Sequence, residues 1–189
     1  MSKASKSARI FLFPQWLLSA VLITVVAGKS MASNAAEVIP HEQVLTVSSE
    51  KSSEKNEELT DLVQQIYRGV NEYRESLDLP PLSLNAHINQ QAQIHSQNMA
   101  QQIVEFSHQG FHTRVDALAS EGQIVYSHAA ENVAFNQGYD QPAQIAIAEW
   151  IESEGHHKNM VGDFNLTGIG VAKNRAGEYY FTQIFIKDN

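Results

Sequence analysis

The chain has 189 residues, a formal net charge of −8 at pH 7, 43% hydrophobic residues and no cysteine. This length and apolar content suffice for one domain with a buried core. The lack of cysteine excludes disulfide scaffolds, thiol nucleophiles and thiolate zinc sites. The negative charge argues against a nucleic-acid partner, because phosphate backbones repel it.

Residues 1–35 are predicted to be a secretory signal peptide. They contain four basic residues and no acidic one, a mostly apolar run at residues 10–28, and small residues from position 33 onward. This order is typical of a segment that is removed on export. The run is close to the ~18 residues with which a membrane span begins, so an uncleaved anchor is the alternative, and only then do we expect membrane association. Removal of the segment would leave nine basic against 21 acidic residues, a net charge of −12.

Residues 36–55 are predicted to be a disordered linker, and residues 56–189 a single domain. The linker segment is rich in Ser, Glu and Lys and has few large apolar side chains. Such a segment buries too little surface to offset the entropy that is lost when a chain becomes ordered.

Two amphipathic helices are predicted at the start of the domain. Apolar residues recur at steps of three and four over residues 59–77, and Pro80 stops that helix. The second helix begins near Ser83 or Asn85, either of which can cap it. His95 falls on its apolar stripe, where a hydrogen-bonded core histidine is a better interpretation than a ligand.

The next candidate is His108, which lies in a short aromatic-flanked segment. His108 and His112 are four residues apart, a spacing that on a helix could form a metal pair. Gly110 between them argues against a helix, so His108 alone is the candidate. A short helix is predicted over residues 113–119.

A carboxylate also stands inside an apolar run. Glu131, followed by Asn132, interrupts the run at residues 129–134. A buried carboxylate without a partner is costly, so Glu131 should be paired. A structural role, such as accepting backbone N–H bonds, is as consistent with this pattern as a functional one.

The last part of the chain predicts a helix followed by a β-hairpin. Asp140 can cap the helix, Pro142 suits its first turn, and Gly155 ends it just before two histidines. Residues 166–172 and 179–186 are predicted strands joined by a turn. Helices followed by strands indicate an α+β fold.

The order and spacing of these pieces resemble the CAP superfamily, which comprises the SCP or cysteine-rich secretory protein, antigen 5 and pathogenesis-related 1 proteins. The similarity covers about residues 60–186 and is greatest to the bacterial secreted branch. The matching pieces include Val70-Asn-Glu-Tyr-Arg74, Phe106-Ser-His108, Glu131-Asn-Val-Ala134, Trp150 to Asn159 and Gly168-Ile-Gly-Val171. The resemblance implies a three-layer α-β-α sandwich with a small antiparallel sheet.

The resemblance also implies a site. In many members two histidines and two glutamates face a central cleft, and the histidines can hold a divalent metal. His108 and His156 match the histidines, Glu131 matches one glutamate, and Asn132 lies beside it. Ser153 stands where the second glutamate is usual. The implied metal, such as Zn²⁺, would be held weakly, because two imidazoles are fewer than the ~3 protein ligands of a catalytic zinc site.

The expected function is that of a secreted CAP-domain protein, periplasmic or extracellular, whose central cleft binds a divalent metal and a small or extended ligand. One alternative is a metal-dependent hydrolase that acts on peptides or cell-envelope material with Glu131 as its base. Another is a lipid-binding protein. The partner would accordingly be a lipid, a peptide or an envelope component. Ser153 in the fourth position and the absence of a recognisable nucleophile motif favour binding over catalysis.

Overall fold

The structure is a computed structural model, and it describes residues 41–120, 122 and 124–189. These residues form α1 (His41–Glu75), β1 (Ser83–Leu84), α2 (Ala86–Ala100), α3 (Phe111–Ser120), β2 (Tyr126–Asn136), α4 (Pro142–Glu152), α5 (Glu154–Met160), β3 (Leu166–Lys173) and β4 (Tyr179–Asp188). The predicted signal peptide, with its apolar run, lies outside the described residues. Within them, no helix is both long and apolar enough to cross a membrane.

The strands of the described residues form one sheet in the order β1–β3–β4–β2. β3 and β4 make the predicted antiparallel hairpin, with Leu166 opposite Ile186 and Lys173 opposite Tyr179. β2 pairs antiparallel with the other side of β4. The two-residue β1 runs parallel to β3, so the sheet is mixed at this edge and antiparallel elsewhere. The α+β class and the α-β-α arrangement are confirmed.

Alternate residues of each strand face opposite helical layers. On β4, Phe181 and Phe185 belong to the larger core, whereas Ile184 and Ile186 belong to a smaller one. The helices α1 and α4 enter the larger core through Leu62, Ile66, Val70, Ala143, Ala146 and Trp150. The helices α2 and α3 enter the smaller one through Ile88, Ala92, Val115 and Leu118. The four-residue steps within α1 and α2 are those of one helix face.

Two glycines of β3 allow α2 to lie directly against the strand. A Cβ atom at Gly168 or at Gly170 would collide with the backbone of α2. At this close approach, the side-chain oxygens of Asn89 and Gln93 accept hydrogen bonds at 2.8 and 3.0 Å from the backbone N–H of the residue after each glycine. The glycines therefore serve helix–strand packing, which is a common use of glycine inside a strand.

Helix α1 begins at His41, whereas the sequence predicts a start near Leu59. It therefore extends through most of residues 36–55, the predicted linker, of which residues 36–40 lie outside the described part. Residues 53–57 are exposed, so their polar composition indicates a helix with no buried face. The segment from His41 to Leu59 contains neither Gly nor Pro, and a helix that is already packed further along can propagate through it.

Strand β2 was not predicted. It lies between α3 and α4, so the strands do not simply follow the helices along the chain. Its central Ala, Glu and Asn residues have a low preference for strands. Tertiary pairing overrides that preference, because β2 pairs with β4 from Tyr126 opposite Asp188 to Asn136 opposite Tyr179.

The ends of α4 also differ from the prediction. Gln141, not Asp140, occupies the N-cap position, while Pro142 takes the first turn as expected. The helix is interrupted at Ser153, which is extended with ψ of 118°, and Gly155 then lies inside the next helix, α5. The predicted stop at Gly155 is therefore wrong. The break at Ser153 separates the following histidines from α4 and places them on a short helix of their own.

Candidate functional site

Glu131 is a buried carboxylate on the edge strand β2, with only 1% of its side chain exposed. Arg114 of α3 donates to it through Nη2, at 2.6 and 2.8 Å from the two carboxylate oxygens, and through Nε at 3.2 Å. Paired charge-assisted hydrogen bonds of this kind are short and strong. Arg114 thus provides the partner that a buried Glu131 requires.

His108 lies in the loop before α3, with 51% of its side chain exposed. Its Nδ1 is 3.0 Å from Glu131 Oε1. An ionised carboxylate only accepts hydrogen bonds, so in the neutral imidazole this contact places the proton on Nδ1 and leaves the lone pair on Nε2. Gly110, with φ of +77°, turns the loop into α3, and Arg114 also donates to the carbonyl of Gln109 at 2.8 Å. The Glu131–Arg114 pair therefore holds both the ring of His108 and its loop.

His156 reaches the same place from the other side of the sheet edge. It lies on α5, and its ring centroid is 6.4 Å from that of His108, with the ring planes at 52°. The structure thus brings together two predicted site residues that are 48 positions apart in the chain. Burial lowers the pKa of His156, and the nearby His108 lowers it further. The ring of His156 is consequently neutral at pH 7.

Two buried or half-buried amides fasten α5 to β2. The side-chain Nδ2 of Asn132 donates to the carbonyl of His156 at 3.1 Å. Asn159 Nδ2 donates to Asn132 Oδ1 at 2.8 Å and to the carbonyl of Glu131 at 3.2 Å. Asn132 therefore contributes to the site through the backbone of His156, from the face of β2 opposite to the one that carries Glu131.

Helix α1 holds α5 from the opposite side. The buried Arg74 donates from Nη1 to the carbonyls of Met160 and Gly162, at 2.8 and 3.0 Å, just where α5 ends. Next to it, the Tyr73 hydroxyl lies 2.9 Å from Nε2 of His157. The C-terminal carbonyls of a helix need such partners, and here a buried guanidinium provides them.

His95 is a core histidine, as the sequence favoured. It is buried, and its Nε2 lies 2.8 Å from the carbonyl of Ser107, the residue before His108. Burial lowers the pKa of His95, and the nearby Arg114 lowers it further. His95 therefore supports the loop of His108 as a neutral hydrogen-bond donor to the Ser107 carbonyl, and it does not take part in the site.

Ser153 lies at the junction of α4 and α5 and is half buried. Its backbone N–H donates to the carbonyl of Glu149 at 3.1 Å, and its own carbonyl accepts from the N–H of His157 at 2.8 Å. Its side chain makes no capping hydrogen bond. The contacts that define Ser153 are therefore those of a helix junction, and a role for its hydroxyl in the cleft stays a prediction.

Arg114 is the site residue that the sequence interpretation missed. It lies on α3 with Val115 and Leu118, which are both buried. These positions recur at helical spacing, so Arg114 stands beside the inward face of the helix. A cation at such a position and a carboxylate inside an apolar run each require a partner. Pairing the two unexplained charges would have identified the Arg114–Glu131 contact.

Two imidazoles define what metal this site could hold. In the part of the chain that the structure describes, no three His, Asp or Glu side chains converge as a metal site. Two imidazoles on one tetrahedral zinc ion have centroids about 5 Å apart, since each nitrogen lies about 2.0–2.1 Å from the ion. The 6.4 Å between His108 and His156 is somewhat wider. The two rings could therefore share one ion, with water in its remaining positions, only if they moved closer together.

Comparison with known families gives a match over most of the folded part. The model of the CAP family, described as the cysteine-rich secretory protein family, matches residues 67–185. The chain belongs to the CAP family. The matched region runs from the second half of α1 to Phe185 in β4, and it contains His108, Glu131 and His156. The comparison with curated proteins gave no match.

Solved structures share the CAP fold. An extracellular protein containing a SCP domain from Bacillus anthracis is 31% identical, with a TM-score of 0.56 over 69% of this chain and 41% of that one. A cysteine-rich secretory protein from Staphylococcus aureus is 22% identical, with a TM-score of 0.54 over 69% and 39%. An outer surface protein from Borrelia burgdorferi is 16% identical, with a TM-score of 0.58 over 68% and 94%. The chain thus spans about two fifths of the length of the Bacillus and Staphylococcus proteins.

Proposed function

We propose that this CAP domain is a non-catalytic binding module of an exported protein, and that its ligand enters the cleft between His108 and His156. The observation that carries the proposal is the bidentate pairing of Glu131 with Arg114. This pairing makes the carboxylate a fixed support for His108. The hydrolase alternative requires the same carboxylate to act as a base.

A general base must take up a proton during the reaction. Protonation of Glu131 would remove its charge from an Arg114 guanidinium that is itself only 10% exposed. Leaving one member of a buried ion pair uncompensated is strongly unfavourable. The geometry therefore supports a Glu131 that keeps its pairing with Arg114 and orients His108, a role in positioning a ligand rather than in transferring protons.

His108 and His156 are the residues that would hold a divalent metal. His108 is oriented through Nδ1, which leaves Nε2 for a ligand, and the centroids of the two rings lie 6.4 Å apart at the edge of the sheet. A bound ion would supply open coordination positions to an incoming carboxylate, carbonyl or imidazole group. The protein's own contribution is to fix the two rings from opposite faces of β2.

An apolar shelf, formed by Phe106 and Phe135, would contact the rest of the ligand. Phe106 is 51% and Phe135 40% exposed, and their ring centroids are 6.1 Å apart. Phe106 lies two residues before His108, and Phe135 lies four residues after Glu131 on the same face of β2, about 13 Å along the strand. Exposed apolar pairs of this kind favour a ligand with an apolar part beyond its polar head.

Export is part of the same proposal. The solved relatives include an extracellular protein and an outer surface protein, and the first 35 residues have the charge pattern of a signal peptide. N-terminal sequencing of the exported protein should give a start near Ala35 or Ala36. A start at Met1 in the membrane fraction would instead support an uncleaved anchor.

Calorimetric titration with Zn²⁺ at pH 7.5 tests the cleft. We expect weak binding that His108→Ala and His156→Ala each abolish, and that the exposed control His112→Ala leaves intact. Equal binding by the wild type and both cleft variants would contradict a metal site at His108 and His156. Hydrolysis of peptides or envelope material that is lost in Glu131→Gln would overturn the binding module and establish the enzyme.

A further inference from the structure

A second cavity lies at the hairpin end of the sheet. It has a volume of about 900 Å³ and is bounded by the middle of α1, the second half of α2 and the turn between β3 and β4. Tyr179, at this end of β4, is five residues from Ile184, which pairs with Glu131. That is about 17 Å along the strand, so the cavity is separate from the His108–His156 cleft. Its volume is in the range of about 300–1,000 Å³ that is usual for small-molecule sites.

The wall of this cavity is basic although the chain is acidic. The chain has 21 acidic and 13 basic residues. The described lining residues include three cations, Lys55, Lys173 and Arg175, and no carboxylate. Lys55 reaches across to the end of β3, where its Nζ lies 3.4 Å from the carbonyl of Lys173. The residues that line the cavity therefore favour an anion, although the chain as a whole is acidic.

The three cations are held differently. Lys173 is fixed, because its Nζ lies 2.9 Å from a carboxylate oxygen of Glu58 and 4.5 Å above the ring of Tyr179. Its charge is thus largely balanced from behind the wall. Lys55 and Arg175 are exposed, so their side chains can turn toward a bound anion. These two are the residues that would recognise negative charge.

Amide side chains cover much of the remaining wall. They are Asn56, Gln93, Gln97, Gln101, Gln102 and Asn174. Gln93 is committed to the β3 backbone, which it contacts at 3.0 Å through both its oxygen and its nitrogen. Asn174 is committed to its own turn, where its nitrogen donates to Glu178 and its oxygen accepts from the N–H of Ala176 and of Glu178. Each of the other four can both donate and accept, as a hydroxyl group does. Such a wall suits a ligand with many hydroxyl groups, and it adds no charge of its own.

The C-terminal end of α2, which lies in the wall of the cavity, limits the kinds of anion that could bind there. α2 ends at Ala100, so the wall at Ala100, Gln101 and Gln102 carries the negative end of the helix dipole. A compact phosphate dianion favours helix N-termini and would be repelled here. Carboxylates spread along a ligand could reach the cations on α1 and on the β-turn while hydroxyl groups donate to the helix end.

We propose that this cavity is a second binding site, and that it takes a short acidic oligosaccharide. Its carboxylates would pair with Lys55 and Arg175, and its hydroxyl groups would bond the amides of α1 and α2. The site is independent of the His108–His156 cleft and of any metal bound there.

Calorimetric titration with trigalacturonic acid tests the proposal, with its fully methyl-esterified form as a neutral match. We expect the acid to bind and the ester to bind at least tenfold more weakly. Lys55→Ala and Arg175→Ala should each lower the affinity for the acid about threefold to tenfold. Lys158→Ala and Arg68→Ala remove exposed cations elsewhere and should change nothing. His108→Ala should also leave this binding intact, which separates the second site from the cleft.

Three results would overturn the proposal. The first is no binding of the acid, and the second is equal binding of acid and ester. The third is unchanged affinity in both Lys55→Ala and Arg175→Ala. Tetraglutamate that binds as tightly as the saccharide, or inorganic phosphate that displaces it at equal concentration, would assign the cavity to acidic peptides or to phosphate and likewise contradict the proposed class.

Discussion

The two sides of strand β2 position their histidines by different chemistry. On the α3 side, His108 is held by a buried carboxylate that is itself held by one guanidinium, Arg114. On the α5 side, backbone carbonyls accept the hydrogen bonds that hold the helix of His156, from the amide of Asn132 and from the guanidinium of Arg74. An ion pair concentrates stability in two groups that depend on each other, whereas bonds to backbone carbonyls spread it over several groups. Single substitutions should therefore cost more on the α3 side.

The largest effect is expected for Arg114→Met, which leaves Glu131 as a buried unpaired charge. Breaking a buried pair from one side costs about 3–5 kcal/mol, and denaturant unfolding followed by circular dichroism would measure it. The double variant Arg114→Met with Glu131→Met should recover part of the loss, because no charge stays buried. The matched control is Lys158→Met, which removes an exposed pair and should cost less than about 0.5 kcal/mol. Equal losses in Arg114→Met and Lys158→Met would contradict the comparison.

The next effect is expected for Arg74→Met on the α5 side. The substitution removes hydrogen bonds to the carbonyls of Met160, which is buried, and of Gly162, which is half-buried. The expected loss is about 2–4 kcal/mol, measured in the same way. Arg68→Met removes an exposed arginine from the same helix and should be nearly neutral. A loss in Arg74→Met that exceeds the loss in Arg114→Met would reverse the order of the two sides.

A smaller effect is expected for Asn159→Ala. It removes the hydrogen bonds to Asn132 and to the carbonyl of Glu131, while Asn132 keeps its bond to His156. The loss of stability should be about 1–2 kcal/mol. The separation of the two histidine rings should also increase, which nuclear Overhauser contacts between His108 and His156 would report. Unchanged contacts in a variant that has lost stability would show that the amides stabilise α5 without positioning the ring.

The fold was largely predictable because its signals are local or ordered along the chain. The apolar steps from Leu59 onward identified α1, and the residues around 166–186 identified the hairpin. β2 was not predictable in this way. Its strand character comes from pairing with β4, which no short-range pattern of Ala, Glu and Asn contains. The start of α1 was missed for the converse reason, since a polar segment can be helical without burying a face.

The proximity of the two histidines was predictable, because the family motif specifies both residues. The ion pair between Arg114 and Glu131 was not, because no motif in the sequence analysis includes Arg114. His108 and His156 were expected together and lie together. The Arg114–Glu131 pair connects a helix to a strand, and its two members are 17 positions apart. Neither residue identifies the other unless both are recognised as buried charges. Ser153 was assigned by its distance from Trp150 alone, and the break between α4 and α5 falls at that residue.

The smallest expected effect is on the pH dependence of the free energy of unfolding, to which the buried His95 contributes. Burial lowers the pKa of His95 in the folded protein, and Arg114 lowers it further. Above about pH 6.5 the histidine is neutral in both the folded and the unfolded chain. Below that pH the unfolded chain binds a proton that the folded protein resists. The free energy of unfolding should therefore fall as the pH decreases from about 6.5 toward the folded pKa.

His95→Gln removes this titration while it keeps an N–H donor within reach of the Ser107 carbonyl. We expect urea unfolding between pH 8 and pH 5 to show a shallower loss for His95→Gln than for the wild type. The exposed control His112→Gln should follow the wild-type profile. His156, whose pKa is also lowered by burial and by His108, should keep part of the slope in the single variant. Superimposable profiles for His95→Gln and the wild type would mean that His95 is protonated as readily in the folded core as in the unfolded chain. The loop before His108 would then not depend on a neutral His95.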